Sequence, residues 1–504
     1  MRRVFYIVIA LLAAVSCANV KKATVSNEQN SGLQMSQMYT DGMVLQRNIP
    51  LVIKGSANSG EKVKVTLEGP FGKMTEKTRA SREGEWAVEF EPLEAGVGIK
   101  LSIEGNGGNV LTYDNVAAGE VWVCSGQSNM YFKVWESAES AEAVADGDLR
   151  LYNMEIPFPL SMVEWSDEHV ELARNKEFYR PTQWQACDGD NVRGFSAVAY
   201  HFGKMLREQL GVPVGLICNA IGGSPTEAWV SREILLEGYP EVLEDWYNNP
   251  MVNQWCVEMG KINLGYPENN VANHPFAPTC LFETGVATME RFPIKGVIWY
   301  QGESNDFDIP MHEKLFRLLV KGWRNYWDND QMPFHFVQLS GLAERYMWPE
   351  FRDSQRKLAA EIEHCEMAVS SDFGDPLDIH PRQKKPVGER LARLALRYDY
   401  GYDIVPCGPV LESAVLDGAR VVLEFDYADG LSTSDSQPVR CFELAGEDGQ
   451  FVPAEATIVD GKLMLVSKIA TPMYVRYAWQ AFTDANLING AGLPASTFTA
   501  TITR

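Results

Sequence analysis

Glu120-Val121-Trp122-Val123-Cys124-Ser125-Gly126-Gln127-Ser128-Asn129-Met130 opens as an unbroken apolar run and ends abruptly in small and polar residues. A strand that is apolar at consecutive positions has no solvent face, which is the pattern of a parallel strand covered on both sides. Similar runs recur at Leu149 to Met154, Val212 to Ile221, Ile294 to Gln301, Pro333 to Ser340 and Met367 to Ser371. Helical spacing lies between them: Phe195, Val198, Ala199, Phe202, Met205 and Leu206 fall on one face. Further helices fit His312 to Trp327, Pro349 to Ile362 and Pro386 to Tyr400. Strands alternating with helices predict an α/β domain over 117–403, built on a doubly wound parallel sheet. The stretch from about 231 to 285 fits no strand–helix unit and reads as an insertion.

The flanks are different. From 36 to 116 the chain runs in short alternating stretches such as Lys62-Val63-Lys64-Val65-Thr66-Leu67, separated by Gly, Asn and Pro turns, which predicts an N-terminal β-sandwich. Residues 404–504 return to the same alternation and predict a C-terminal β domain, also of sandwich type. With 504 residues, several domains are expected. At the other end, Arg2 and Arg3 precede an apolar run from Val4 to Val15, closed by Ser16, Cys17 and Ala18, so residues 1–17 read as an export signal. Ala14-Val15-Ser16-Cys17 resembles a bacterial lipobox, with Ala14 where Leu is usual; simple cleavage after Ala18 is the alternative. Polar residues 18–35 read as a tether. The expected location is therefore outside the cytoplasm, as a periplasmic or membrane-anchored lipoprotein, with membrane contact only through a lipid on Cys17.

Sixty-seven acidic against 45 basic residues give a formal charge of -22, which repels a phosphate backbone and argues against nucleic acid as a partner. Nine cysteines include Cys17, leaving eight whose pairing spacing does not reveal. Cys124 and Cys218 sit in apolar runs as small hydrophobes. No Cys or His cluster has zinc spacing, so no metal is expected.

Ligands of such a sheet bind beyond the carboxyl ends of its strands, so the residues directly after each strand carry the chemistry. The first strand delivers Ser128 in a small-residue turn. The third ends in Asn219-Ala220-Ile221-Gly222-Gly223-Ser224, the fourth in Trp299-Tyr300-Gln301-Gly302-Glu303-Ser304-Asn305. Next comes Asp372-Phe373-Gly374-Asp375-Pro376-Leu377-Asp378-Ile379-His380-Pro381, one imidazole among carboxylates. The other histidines read as structural.

Gly126-Gln127-Ser128-Asn129-Met130, the Trp299 to Asn305 block and Asp378-Ile379-His380-Pro381 resemble the signature blocks of the sialate O-acetylesterases, a branch of the SGNH hydrolases. Tyr402 to Pro409 and the region around Gly492-Leu493-Pro494 extend the resemblance to the C-terminal β domain. It implies hydrolysis of acetyl esters on carbohydrates, with an O-acetylated sugar or glycan as partner, no metal or organic cofactor, and an acyl-enzyme on Ser128. A Ser hydroxyl needs a base, and His380 fits. The oxyanion donors expected are the N–H of Ser128, an N–H at Gly222 or Gly223, and the side-chain amide of Gln301. The SGNH acid often stands three residues before the His, where this chain has Leu377. Asp378, two residues before, is the preferred acid, with Asp375 and a dyad oriented by a backbone carbonyl as alternatives. Glu303 is expected to be a buried supporting partner. An acetylxylan or other hemicellulose esterase on the same scaffold is the near rival, and a carbohydrate-binding lipoprotein with a dead centre the distant one. An α/β-hydrolase lipase is disfavoured, because Ser128 lacks the Gly-x-Ser-x-Gly elbow.

Overall fold

The strand Val110–Gly126 (β1) organises the molecule, and its burial changes character partway along: alternating up to Asn115, then buried at every position from Val116. Its first half pairs antiparallel with Gly96–Gly105 and so belongs to the N-terminal β region. Its second half is the centre of the α/β sheet. The change of pattern at residue 116 thus falls inside one continuous strand. The computed structural model describes residues 32–269 and 271–504; the expected export segment with Cys17, and the tether as far as residue 31, lie outside them.

The remaining strands of the central sheet are Asp146–Asn153 (β2), Gln185–Cys187 (β3), Val214–Ala220 (β4), Gly296–Tyr300 (β5), Phe334–Val337 (β6) and Met367–Ala368 (β7). They lie in the order β3-β2-β4-β1-β5-β6-β7. From β2 to β7 every neighbouring pair is parallel. β3 is antiparallel at the edge, and the sheet continues through β1 into the antiparallel N-terminal strands. The wholly parallel sheet expected from the sequence is therefore corrected to a mixed sheet of eleven strands. Three residues of β3 carry too short a pattern to be read.

Helices cover both faces, as strands without a solvent side require. Val121, Val123, Ile217, Val297 and Trp299 turn to one face and pack with Leu315, Leu319 and Trp323 of the helix Ile309–Trp327. Trp122, Cys124, Leu216 and Ile298 turn to the other and meet the helices Ala197–Leu210 and Lys385–Tyr398. The alternation of two neighbours to opposite faces is the strand geometry itself. Each such fully buried large side chain contributes about 1.5–3 kcal/mol relative to exposure.

In the N-terminal region, Leu51–Ser56 pairs with Glu85–Phe90, and the apolar cluster of its strands is continuous with one face of the central sheet. After residue 404 two four-stranded antiparallel sheets share a separate cluster, with Val421, Leu423 and Leu463 from one and Phe442, Val475 and Phe498 from the other. The eight cysteines from Cys124 to Cys441 are all free thiols. Among the described residues no helix is long and apolar enough to cross a membrane.

Candidate active site

β1 ends at Gly126, which has φ +134°, and a Cβ there would lie 2.1 Å from the carbonyl oxygen of Tyr300. Only glycine brings the ends of β1 and β5 this close. The chain then turns through Gln127 into the one-turn helix Ser128–Tyr131, so Ser128 emerges at the carboxyl edge of the sheet. The Gln127 side chain accepts N–H groups of Gly302 and Ser304, both at 3.4 Å, and its own N–H reaches Tyr300 O at 2.9 Å. Gln127 thereby joins the Ser128 turn to the turn after β5, a role the sequence did not reveal.

His380, 252 residues further along, places Nε2 2.8 Å from Ser128 Oγ. The ring is partly buried, and its pKa is lowered by that burial and then by the Lys384 cation, against the opposing pull of Asp378 and Glu136. A depressed pKa keeps the imidazole neutral, the form that can accept a proton. Asp378 stands beside it, but loosely. Its Oδ1 accepts the backbone N–H of His380 at 2.8 Å and lies 3.6 Å from Nδ1. Asp375 accepts the N–H groups of Leu377 and Asp378.

Gly222 lies beside Ser128: a Cβ there would lie 3.7 Å from Ser128 Cβ. Among the described residues no acceptor takes the N–H of Gly222 or Gly223. Gln301 corrects the expectation made of it. Both its amide hydrogens are engaged, by Asn305 Oδ1 at 2.7 Å and Ser224 O at 3.3 Å, and its Oε1 accepts from Thr226 Oγ1. An amide with both donors committed inside the protein has none left for a substrate oxygen. Instead Gln301, Thr226 and Asn305 form a buried network reaching Glu227, whose Oε2 accepts from Asn305 Nδ2 at 3.0 Å and whose pKa burial pushes up to about 7.

Beneath Ser128 and His380 runs a second buried chain that sequence reasoning missed. The fully buried Lys384 donates from Nζ to Asn129 Oδ1 at 2.5 Å. Asn129 Nδ2 in turn donates to Glu303 Oε1 at 2.5 Å and to Ile379 O at 3.0 Å. Asn129 follows Ser128 and Ile379 precedes His380, so this amide clamps one segment to the other. Burial pulls the Lys384 pKa down to about 7 and raises that of Glu303. Glu303 is buried, with Oε2 lacking a partner among the described residues. No group of three or more His, Cys, Asp or Glu among these residues is placed to hold a metal ion.

A hydroxyl bonded to a neutral imidazole, with unused N–H groups at the neighbouring turn, is suited to attack on an acyl carbonyl. Comparison with known proteins points to carbohydrate esterases. Residues 279–397 match the family of carbohydrate esterases described as sialic acid-specific acetylesterase. The sialate O-acetylesterase of Mus musculus is 27% identical, covering 91% of each chain, and that of Homo sapiens is 26% identical, covering 94% of this chain and 93% of its own. A carbohydrate acetylesterase of Xanthomonas citri superposes with a TM-score of 0.77 at 31% identity, covering 93% of this chain and 99% of its own. On the block residues, the geometry that joins them and these similarities, the chain belongs to the sialate O-acetylesterase family of carbohydrate esterases, hydrolases that act on esters.

Proposed function

We propose that this protein removes O-acetyl groups from sugars, sialic acids first among them, through an acetyl-enzyme on Ser128. The observation that carries the proposal is the 2.8 Å contact between Ser128 Oγ and His380 Nε2. Ser128 Oγ attacks the ester carbonyl carbon while its proton passes to Nε2. The tetrahedral oxyanion is held by the N–H of Ser128 and that of Gly222 or Gly223, donors each worth about 10²–10³ in rate when removed. The C–O bond to the sugar breaks, the alkoxide takes the proton from His380, and acetyl remains on Ser128. Water, deprotonated by the same imidazole, then releases acetate and restores the hydroxyl. Asp378 is the acid of this mechanism, since among the described residues no other carboxylate comes as near to Nδ1.

The architecture proposed with this function is an SGNH-type wound sheet over 117–403 flanked by β-sandwiches over 36–116 and 404–504. An exported lipoprotein anchored through Cys17 is the proposed setting. The test is deacetylation of an O-acetylated sialic acid and of acetylated xylan side by side. Faster release of acetate from the sialic acid supports the proposal; preference for xylan replaces it with the hemicellulose reading, and no release from either or from p-nitrophenyl acetate leaves a binding protein.

A further inference from the structure

The insertion between β4 and β5 carries the helix Gln254–Leu264, and its first turn is fastened to both loops beside Ser128. Asn253 Oδ1 accepts the N–H of Trp255 at 2.9 Å, while its Nδ2 donates to Ser304 O at 2.8 Å, in the turn after β5. Cys256 Sγ lies 3.7 Å from Gly223 O, in the turn after β4, and Ser304 Oγ donates to the same oxygen at 2.9 Å. Trp255 sits between these two fastenings. Its neighbours Cys256 and Val257 are buried, yet Trp255 is 45% exposed.

The ring does not hang free. It stacks on Phe276, centroids 5.7 Å apart and planes 27° from parallel. A Cβ at Gly223 would lie 2.9 Å from the six-membered ring of the indole and 3.0 Å from Phe276, and Gly223 has φ +75°. Glycine there admits the indole against the turn. A Cβ on Gly222, the preceding residue, would lie 3.7 Å from Ser128 Cβ, so the indole edge stands one residue removed from the glycine beside Ser128. Single exposed aromatics are ordinary on a protein surface. An indole braced by a second ring and by the turn after β4 is a rigid apolar plane beside that turn, and it orders nothing further when a ligand covers it.

Resting on the acetylesterase reading above, we propose that Trp255 is a specificity-determining residue whose indole stacks against the C–H face of the sugar ring that bears the acetyl group. A pyranose offers such a face, while its hydroxyls remain at the rim in water. A small acetyl ester without a sugar offers none.

The experiment compares wild type, Trp255→Ala and Trp255→Phe on p-nitrophenyl acetate, on an O-acetylated sialic acid methyl glycoside and on an acetylated xylo-oligosaccharide. For the preferred sugar, Trp255→Ala should lower kcat/KM about tenfold or more relative to p-nitrophenyl acetate, chiefly through KM, with Trp255→Phe between the two. A ratio unchanged between wild type and both variants overturns the platform while leaving the esterase reading intact. A wild type that cleaves p-nitrophenyl acetate but neither sugar ester overturns the sugar reading, and the platform with it. Should Trp255→Ala not fold, Trp255→Phe decides alone: a severalfold fall in the ratio supports the platform, and an unchanged ratio overturns it.

Discussion

Lys384 and Lys385 stand side by side in the sequence and have opposite fates: the first is fully buried beneath the site, the second pairs with Glu142 at the surface. Two consecutive lysines carry no pattern that tells them apart, so this partner of Asn129 was not legible. His380 was, because an imidazole among Asp375, Asp378 and a terminal strand loop has few structural reasons to be there. The charge on Lys384 gives a pH signature. His380 must be neutral to act, and burial together with Lys384 lowers its pKa from the usual 6.5, so activity should persist on the acid side of that value. Lys384→Met removes the cation, the pKa rises, and the acid limb of kcat/KM should move to higher pH, with a loss of about tenfold from the freed Asn129 clamp. A pH–rate profile checks this, and an unmoved limb contradicts it. Asp378→Asn should cost about a hundredfold in kcat, less than a tightly bonded triad acid because its 3.6 Å contact is long, and clearly more than Asp375→Asn. Equal turnover numbers for the two variants would remove Asp378 from the mechanism.

The elements that present the site were the most readable part of the chain. β1, β4, β5 and β6 are buried at nearly every position they give to the central sheet, and a short apolar run bounded by turn residues is the pattern such a two-sided strand must have. What the sequence could not convey is how their ends interlock. Gln301 pairs with Thr226 and Asn305, and 75 residues separate Gln301 from Thr226, so a side chain read alone as an oxyanion donor is consumed by a contact that only the folded sheet creates. β1 and β5 lie especially close where Gly126 pairs with Tyr300. Gly126→Ala would force its methyl into Tyr300 O at an unfavourable φ, and should destabilise the protein by about 3 kcal/mol or more if it folds at all. Urea unfolding measures the loss. A midpoint equal to wild type would show that the junction yields.

The C-terminal β region has its own apolar cluster and still reaches the active site. Arg352, fully buried on the helix Trp348–Glu361, donates to the carbonyls of Ala478, Gln480 and Ala481 in that region. Leu342 N–H also bonds Ala481 O, and the N–H of its neighbour Ala343 bonds Pro376 O in the loop that carries His380. Burial pulls the Arg352 pKa down to about 9, well above neutrality, so the guanidinium remains charged when docked. Arg352→Met should cost about 2–4 kcal/mol by leaving several carbonyls unpaired, visible as earlier proteolysis between the two regions. Unchanged unfolding and cleavage would mean that the apolar contacts alone hold them together. The acetyl-enzyme proposed on Ser128 is tested most directly by mass spectrometry of the protein quenched during turnover of an acetyl ester, beside Ser128→Ala. Acetyl on the Ser128 peptide, and a folded Ser128→Ala protein with neither acetylation nor turnover, is the expected result; a folded Ser128→Ala protein that turns over near the wild-type rate contradicts it.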